Sequence, residues 1–250
     1  MINTKWVAAV CMIACTGVAQ ASAQSVAESR GYISFNIGGQ LQGHSFDTVS
    51  TPTIYGETAR VSVPYEVNSG MLIDFSGTAR VWRKLGVGLG YSWFSNTGQE
   101  TVTAQIPNPL FVNSPRTATA SSGDVSHSES TLHLLFAWPF AVSNKFDVVA
   151  IIGPSFIHVT QDLVDSVTPQ EGAPPFSTVS IGSVAVSSES AWATSINVGF
   201  DAIYHVTPKI GAGVLVRYVG GSVDLATPSG TTVKVDAGGA QVGIGVRYRF

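Results

Sequence analysis

The 250-residue chain is 44% hydrophobic and only 12% charged, with 26 glycines and a formal net charge of −3. Its length allows one large or two small domains, and a weakly acidic balance with scattered cations argues against nucleic acid as a partner. Hydropathy is slightly positive, yet outside the N-terminus no apolar run approaches the ~18 residues that a membrane-spanning helix needs.

The first residues read as an export leader. MINTKWVAAVCMIACTGVAQASAQ places one cation, Lys5, before a compact apolar run and ends it in Ala21-Ser22-Ala23, a small-x-small cleavage signal. Residues 1–23 are therefore expected to be removed, leaving 24–250 as one β-barrel domain from about Gln24. A lipid anchor would make Cys15 the first mature residue, but Met12-Ile13-Ala14 before it is a poor match. Both cysteines, Cys11 and Cys15, leave with the leader. The mature chain then needs neither disulfide nor thiolate metal site.

From Gly31 onward, segments alternate with the period of two that marks a β-strand with unlike faces. The first, GYISFNIGGQLQ, sets Ile33, Phe35 and Ile37 against Ser34, Asn36 and Gln40. A polar stretch follows to about residue 60, then a second strand over about 62–79, with Met71, Ile73 and Phe75 opposite Leu72, Asp74 and Ser76. A break at Trp82-Arg83-Lys84 leads into LGVGLGYSWFS, where Val87, Leu89, Tyr91 and Trp93 share a face. A long polar segment over about 96–127 contains IPNPLFVNSPR, whose prolines forbid a central strand.

The fourth strand carries Leu132, Leu134, Phe136 and Trp138 on one face, and turns near Ser143-Asn144 into KFDVVAIIGPSFIHVTQD, apolar on both faces and unassigned. VDSVTPQEGAPPFSTVS then precedes the sixth strand, with Trp192, Ile196, Val198, Phe200 and Tyr204 against Ser195, Asn197, Gly199 and Asp201. After Thr207-Pro208-Lys209 the seventh strand sets Val214, Val216 and Tyr218 against Gly213, Leu215 and Arg217. TPSGT leads to the eighth, GGAQVGIGVRYRF.

Connections alternate in length. Those after the first, third, fifth and seventh strands are longer and polar, and those between are a few residues. Short turns at one end, long loops at the other and an even strand count describe an antiparallel up-and-down transmembrane β-barrel; a soluble sandwich has no reason to sort its loops this way. Ten strands result instead if part of the second long loop, or residues 177–186, pairs as an added hairpin. Tyr91, Trp93, Trp138, Tyr204, Tyr248 and Phe250 stand near strand ends, where amphipathic rings meet lipid headgroups.

Eight strands leave an interior that side chains fill. Glycines such as Gly86, Gly88, Gly90, Gly243 and Gly245 make room there for Asp74, His133, Asp201, Arg217 and Arg247, acids and bases able to pair away from water. A plugged polar interior is expected rather than an open pore.

VGIGVRYRF, with Val246, Tyr248 and Phe250 on one face, resembles the C-terminal sorting signal of outer-membrane barrels. The mature chain as a whole resembles small outer-membrane proteins of the OmpA-barrel and OmpX type, within the outer membrane protein β-barrel domain group. That resemblance implies insertion by the barrel assembly machinery, a bacterial outer-membrane location with outer-membrane lipid as surroundings, and no catalytic residue to carry over.

Little enzymatic chemistry is visible. GVGLG and GAGVL alternate glycine with apolar residues and continue as strand, so they lack the helix a dinucleotide fingerprint needs. His44, His127, His133, His158 and His205 show no metal-ligand spacing. Ser126, Ser128 and Ser130 beside His127 and His133 form the one local cluster that a lipid-modifying enzyme could use as nucleophile and base. No cofactor or metal is implied. The expectation is a non-catalytic membrane protein with a structural, surface-contact or adhesion role through its loops and an unidentified surface ligand. The alternatives are a narrow OmpW- or porin-like channel for small solutes or hydrophobic molecules and, last, a lipid-modifying enzyme.

Overall fold

A computed structural model describes residues 30–250 apart from 42 and 229; the expected leader and its expected cleavage site lie outside the described residues. Every regular element among those residues is a strand, in chain order β1 (Gly31–Gln40), β2 (His44–Ser50), β3 (Thr53–Ile54), β4 (Glu57–Thr58), β5 (Arg60–Val67), β6 (Gly70–Trp82), β7 (Leu85–Ile106), β8 (Arg116–Ser143), β9 (Phe146–Glu171), β10 (Val179–His205), β11 (Ile210–Ala226) and β12 (Thr232–Arg249).

Eight of these close a ring, β1-β6-β7-β8-β9-β10-β11-β12, antiparallel at every seam. The closing seam pairs Tyr32 with Arg249 and runs to Gln40 opposite Gln241. Phe250 completes it, accepting from the amide of Arg30 at 2.7 Å and donating to the carbonyl of Gly31 at 3.1 Å.

Alternation decides which side each residue meets. Phe35, Phe75, Leu89, Tyr91, Phe136, Phe200, Val216 and Tyr248 stand on the outside, while Asn36, Asp74, Ser92, His133, Asp201, Arg217 and Arg247 are buried inside. Burial is thus inverted relative to a soluble protein, as a bilayer requires. From Trp192 to Tyr204, β10 rises about 40 Å along its length and about 30 Å once tilted as barrel strands are. That matches the hydrocarbon core of a bilayer. β9, apolar on both faces, points Asp147, Val149, Ile151, Ser155 and Ile157 inward and Ile152 and Phe156 outward.

The longer connections are not loops. Residues 96–106 prolong β7, residues 116–127 prolong β8, and the two stay laddered up to Ile106 opposite Arg116. The segment containing 177–186 adds no wall strand; β10 starts at Val179 and pairs with β9 up to Glu171. The predicted second strand over 62–79 is bent, broken into β5 and β6 at Asn68-Ser69, and β1 breaks likewise before β2. The outer halves pair His44 with Val67 through Ser50 with Val61, and β3 and β4 make the tip. Four prolonged hairpins therefore stand above the membrane band, and their polarity reverses. On β7, Leu89, Tyr91 and Trp93 face out within the band, but above it Val102, Ala104 and Ile106 face in.

These inward residues build a head with a conventional apolar core. Val61, Val63, Tyr65, Val102, Ala104 and Ile106 pack against Leu163, Val164 and Val167 from the β9–β10 hairpin. A second cluster joins Ile157 and Val159 to Val219, Val223, Leu225 and Val235. The ladder between β8 and β9 stops at His127 opposite Gln161, and that between β10 and β11 at Ile196 opposite Gly220. Above those points the β9–β10 hairpin is held by packing rather than by ladders.

Candidate functional site

Two places concentrate polar and exposed groups, the barrel lumen and the tip of the head.

Asp74 and Arg217, 143 residues apart in sequence, meet in the lumen because closure of the ring through β1 and β12 brings β6 near β11 and both side chains point inward. Nη2 of Arg217 donates to Oδ2 of Asp74 at 2.8 Å, and Asn36 donates to Oδ1 at 2.9 Å. The guanidinium also donates to Oε1 of Gln241 through Nε (3.0 Å) and Nη2 (2.8 Å). Gln241 donates to Gln40 at 3.0 Å, and Gln40 to the carbonyl of Gly238 at 2.7 Å. The amide of Gly238 donates to both carboxylate oxygens of Glu129, at 3.1 and 3.0 Å. Glu129 and Gln161 flank His127, with 3.0 Å to its Nε2 and 2.7 Å to its Nδ1. One hydrogen-bonded chain thus runs from Asn36 to Gln161.

Gly238 adopts φ +82, and a Cβ there would run into the carbonyl of Val219. Only glycine turns both its amide and its carbonyl into the lumen at that point. His44 on β2 sits 2.6 Å from the same carbonyl, tying the head to the barrel.

A second pair lies nearer the short turns: Arg247 donates to Asp201 at 2.8 and 2.6 Å. Gly213 leaves room for it, since a Cβ there would come within 2.8 Å of the guanidinium carbon. Beyond it, Asp147 receives Arg249 at 2.7 Å and lies 2.6 Å from His205. A cavity of about 60 Å³ opens here, lined by Arg80, Lys84, Pro139, Asp147, His205 and Arg249 among others.

His133 joins neither pair. Its nitrogens lie 3.0 Å from the hydroxyl of Ser92 and 2.7 Å from that of Ser155, which also accepts from Asn197 at 2.8 Å. Ser126, Ser128 and Ser130 project from the opposite face of β8 to the buried His127 and His133, so the strand holds those hydroxyls away from both rings. Among the described residues no group of three or more His, Cys, Asp or Glu is placed to hold a metal ion. Val246, Tyr248 and Phe250 stand outward at the closing seam, half exposed.

The tip is built around Arg116. Its guanidinium makes a forked ion pair with Glu171 and donates to the carbonyls of Pro107 (2.6 Å) and Phe176 (2.8 Å). Asn108 donates to the carbonyl of Phe176 at 3.0 Å and accepts from the amides of Leu110 and Phe111 at 2.8 and 3.3 Å. The Arg116 hydrogen bond holds the carboxyl of Glu171 below its ordinary value and raises the guanidinium in turn. This clasp joins the β7–β8 and β9–β10 tips and presents Leu110, Phe111 and Val112 to solvent at 59%, 55% and 76% exposure. Below it, the amide of Val164 donates to the hydroxyl of Tyr65 at 2.7 Å, and burial pushes that phenol's pKa up.

No protein-family model and no curated protein matches the chain. Among solved structures it is similar to Neisserial surface protein A, at 14% identity and a TM-score of 0.47, covering 89% of this chain and 98% of that one. It is also similar to the outer membrane protein OprG from Pseudomonas aeruginosa, at 16% identity and a TM-score of 0.42, covering 89% and 97%. A third is Ail, the attachment invasion locus protein of Yersinia pestis, at 13% identity and a TM-score of 0.37, covering 88% and 99%. By its own register and burial, this chain is a small antiparallel β-barrel of the outer-membrane type, with eight strands in its wall.

Proposed function

We propose that the chain is an integral protein of the bacterial outer membrane whose barrel anchors a rigid, surface-exposed head, and that it works by contact rather than by conduction or catalysis. The observation that carries this reading is the clasped tip: three consecutive apolar side chains exposed on a loop fixed by Arg116, Glu171 and Asn108. Exposed apolar groups held rigidly lose little entropy on docking, which favours a contact surface. The lumen supports the same reading, because Arg217 and Arg247, 1% and 2% exposed, lie across it with their carboxylates.

Two measurements test it. Cells displaying the chain should adhere to protein-coated or hydrophobic surfaces, and a triple Leu110→Ser, Phe111→Ser, Val112→Ser variant should lose that adherence while inserting normally. In planar bilayers the purified barrel should give no unitary steps; a reproducible unitary conductance would replace the contact reading with a narrow conduit.

A further inference from the structure

The cavity at the short-turn end of the lumen plays no part in a contact role at the head, and its lining is unlike the rest of the interior. The Asp74–Arg217 and Asp201–Arg247 pairs each match one carboxylate to one guanidinium. Here Arg80, Lys84 and Arg249 gather around the single carboxylate of Asp147, so positive charge is in excess. Beside them the wall is apolar: Ala137, Val149 and Ile203 are buried and belong to one packed cluster.

Asp147 is only 3% exposed. Its Oδ2 receives Arg249 at 2.7 Å and lies 2.6 Å from Nε2 of His205. Its Oδ1 is buried too, but has no hydrogen-bond partner among the described residues. A buried carboxylate oxygen is costly to leave unmatched, and this one belongs to a residue that lines the cavity. The volume of about 60 Å³ admits about four to six water-sized spheres, the bulk of a molecule with as many heavy atoms. A single water donating to Oδ1 would leave the surplus cations and the apolar wall unmatched. A small carboxylate with a neighbouring donor and a short apolar group matches all three.

We infer that this cavity binds a short α-hydroxy or α-amino carboxylate. The ligand carboxylate meets Arg80 and Lys84, its hydroxyl or ammonium donates to Oδ1 of Asp147, and its methyl-sized group lies against Ala137, Val149 and Ile203. The side of entry, the periplasm, rests on the membrane reading above; the site itself does not.

Isotope-labelled barrel in micelles, shown to be folded by heat-modifiable migration, is titrated with lactate, alanine, propionate and ethylamine while backbone amide resonances are followed. Lactate and alanine should shift Gly31, Gly86 and Asp147 saturably and leave Phe111 at the tip unmoved. Each should bind at least about tenfold more tightly than propionate, which lacks the donor; that is the worth of one hydrogen bond to a charged group. Asp147→Asn should bring alanine down toward propionate. Lys84→Gln and Arg80→Gln should each weaken binding about two- to fivefold, as exposed ion pairs do. Gly86→Leu should abolish binding by filling the cavity, since a Cβ at Gly86 meets nothing closer than 3.5 Å and the added bulk is accommodated. Propionate binding as tightly as lactate and alanine, saturation by ethylamine alone, or no saturable shift at all would overturn the site while leaving the barrel intact. Affinities unchanged in Gly86→Leu would do the same. A barrel that folds in micelles but never inserts into vesicles would instead overturn the membrane reading.

Discussion

Arg217 is 1% exposed, and the cost of enclosing its guanidinium is offset by Asp74 and Gln241, which accept from its donors. Buried pairs of this kind need not add net stability, but breaking one strands the partner. Asp74→Asn or Arg217→Met alone should cost about 3–5 kcal/mol in urea unfolding from micelles or vesicles. The double variant should recover much of that loss, because no unpaired charge remains. A double variant costing the sum of the two single variants would mean that the two residues do not act as a pair. Gly238 makes a different demand, since its positive φ and the nearby Val219 carbonyl leave no place for a side chain. Gly238→Ala should cost about 1–3 kcal/mol by the same measurement, although it removes no side-chain contact.

At the scale of the element, the clasp at the head ties two hairpins that share no ladder there. Its pH dependence follows from Glu171. Arg116 depresses the folded carboxyl below its unfolded value, so the pair's contribution is complete above the ordinary carboxylate value of about 4.3. It is lost as pH falls through the lower, folded value. Hydrogen exchange over residues 107–115 and 172–178 should therefore accelerate below about pH 4 while the wall ladders stay protected. Arg116→Ala should show the fast exchange already at neutral pH. The same hairpins mark where sequence reading stopped. Wall strands were readable because Leu89, Tyr91 and Trp93 alternate with small residues over a whole span. TVTAQI alternates just as strictly, but its apolar members, Val102, Ala104 and Ile106, are few and small between polar neighbours, so the segment resembles a loop. His127 and Glu129 were hidden for another reason: their burial depends on Gly238 and Gln161, which no local pattern brings near them. Asp74, Asp201, Arg217 and Arg247 stood out because each interrupts a strand's small-residue face, but their pairing belongs to the ring's closure.

At the scale of the whole molecule, one chain satisfies two opposite solvents, and the boundary between them is set by where apolar side chains change sides. Within the band the aromatic and most large apolar side chains face out, with one small inward cluster of Val149, Ile151, Ile203 and Leu215; above it they face in, around Tyr65, Leu163 and Leu225. The outer edge of the band lies near Trp192, 69% exposed and 4.7 Å from the ring of His158. Six residues further along the same face, Val198 lies near the middle of the span that ends at Tyr204. A bilayer penalises a lipid-facing charge by depth, about 2–4 kcal/mol for arginine at the midplane and 0–1 near the interfaces. Val198→Arg should therefore destabilise the barrel in vesicles by about 2–4 kcal/mol, and Trp192→Arg by much less once the lost ring contact is measured separately as Trp192→Ala. In short-chain detergent, which relaxes around a charge, the gap between the two should narrow. If both arginines cost the same in vesicles, the hydrocarbon does not lie between Trp192 and Tyr204, and the head and the wall would have to be divided elsewhere.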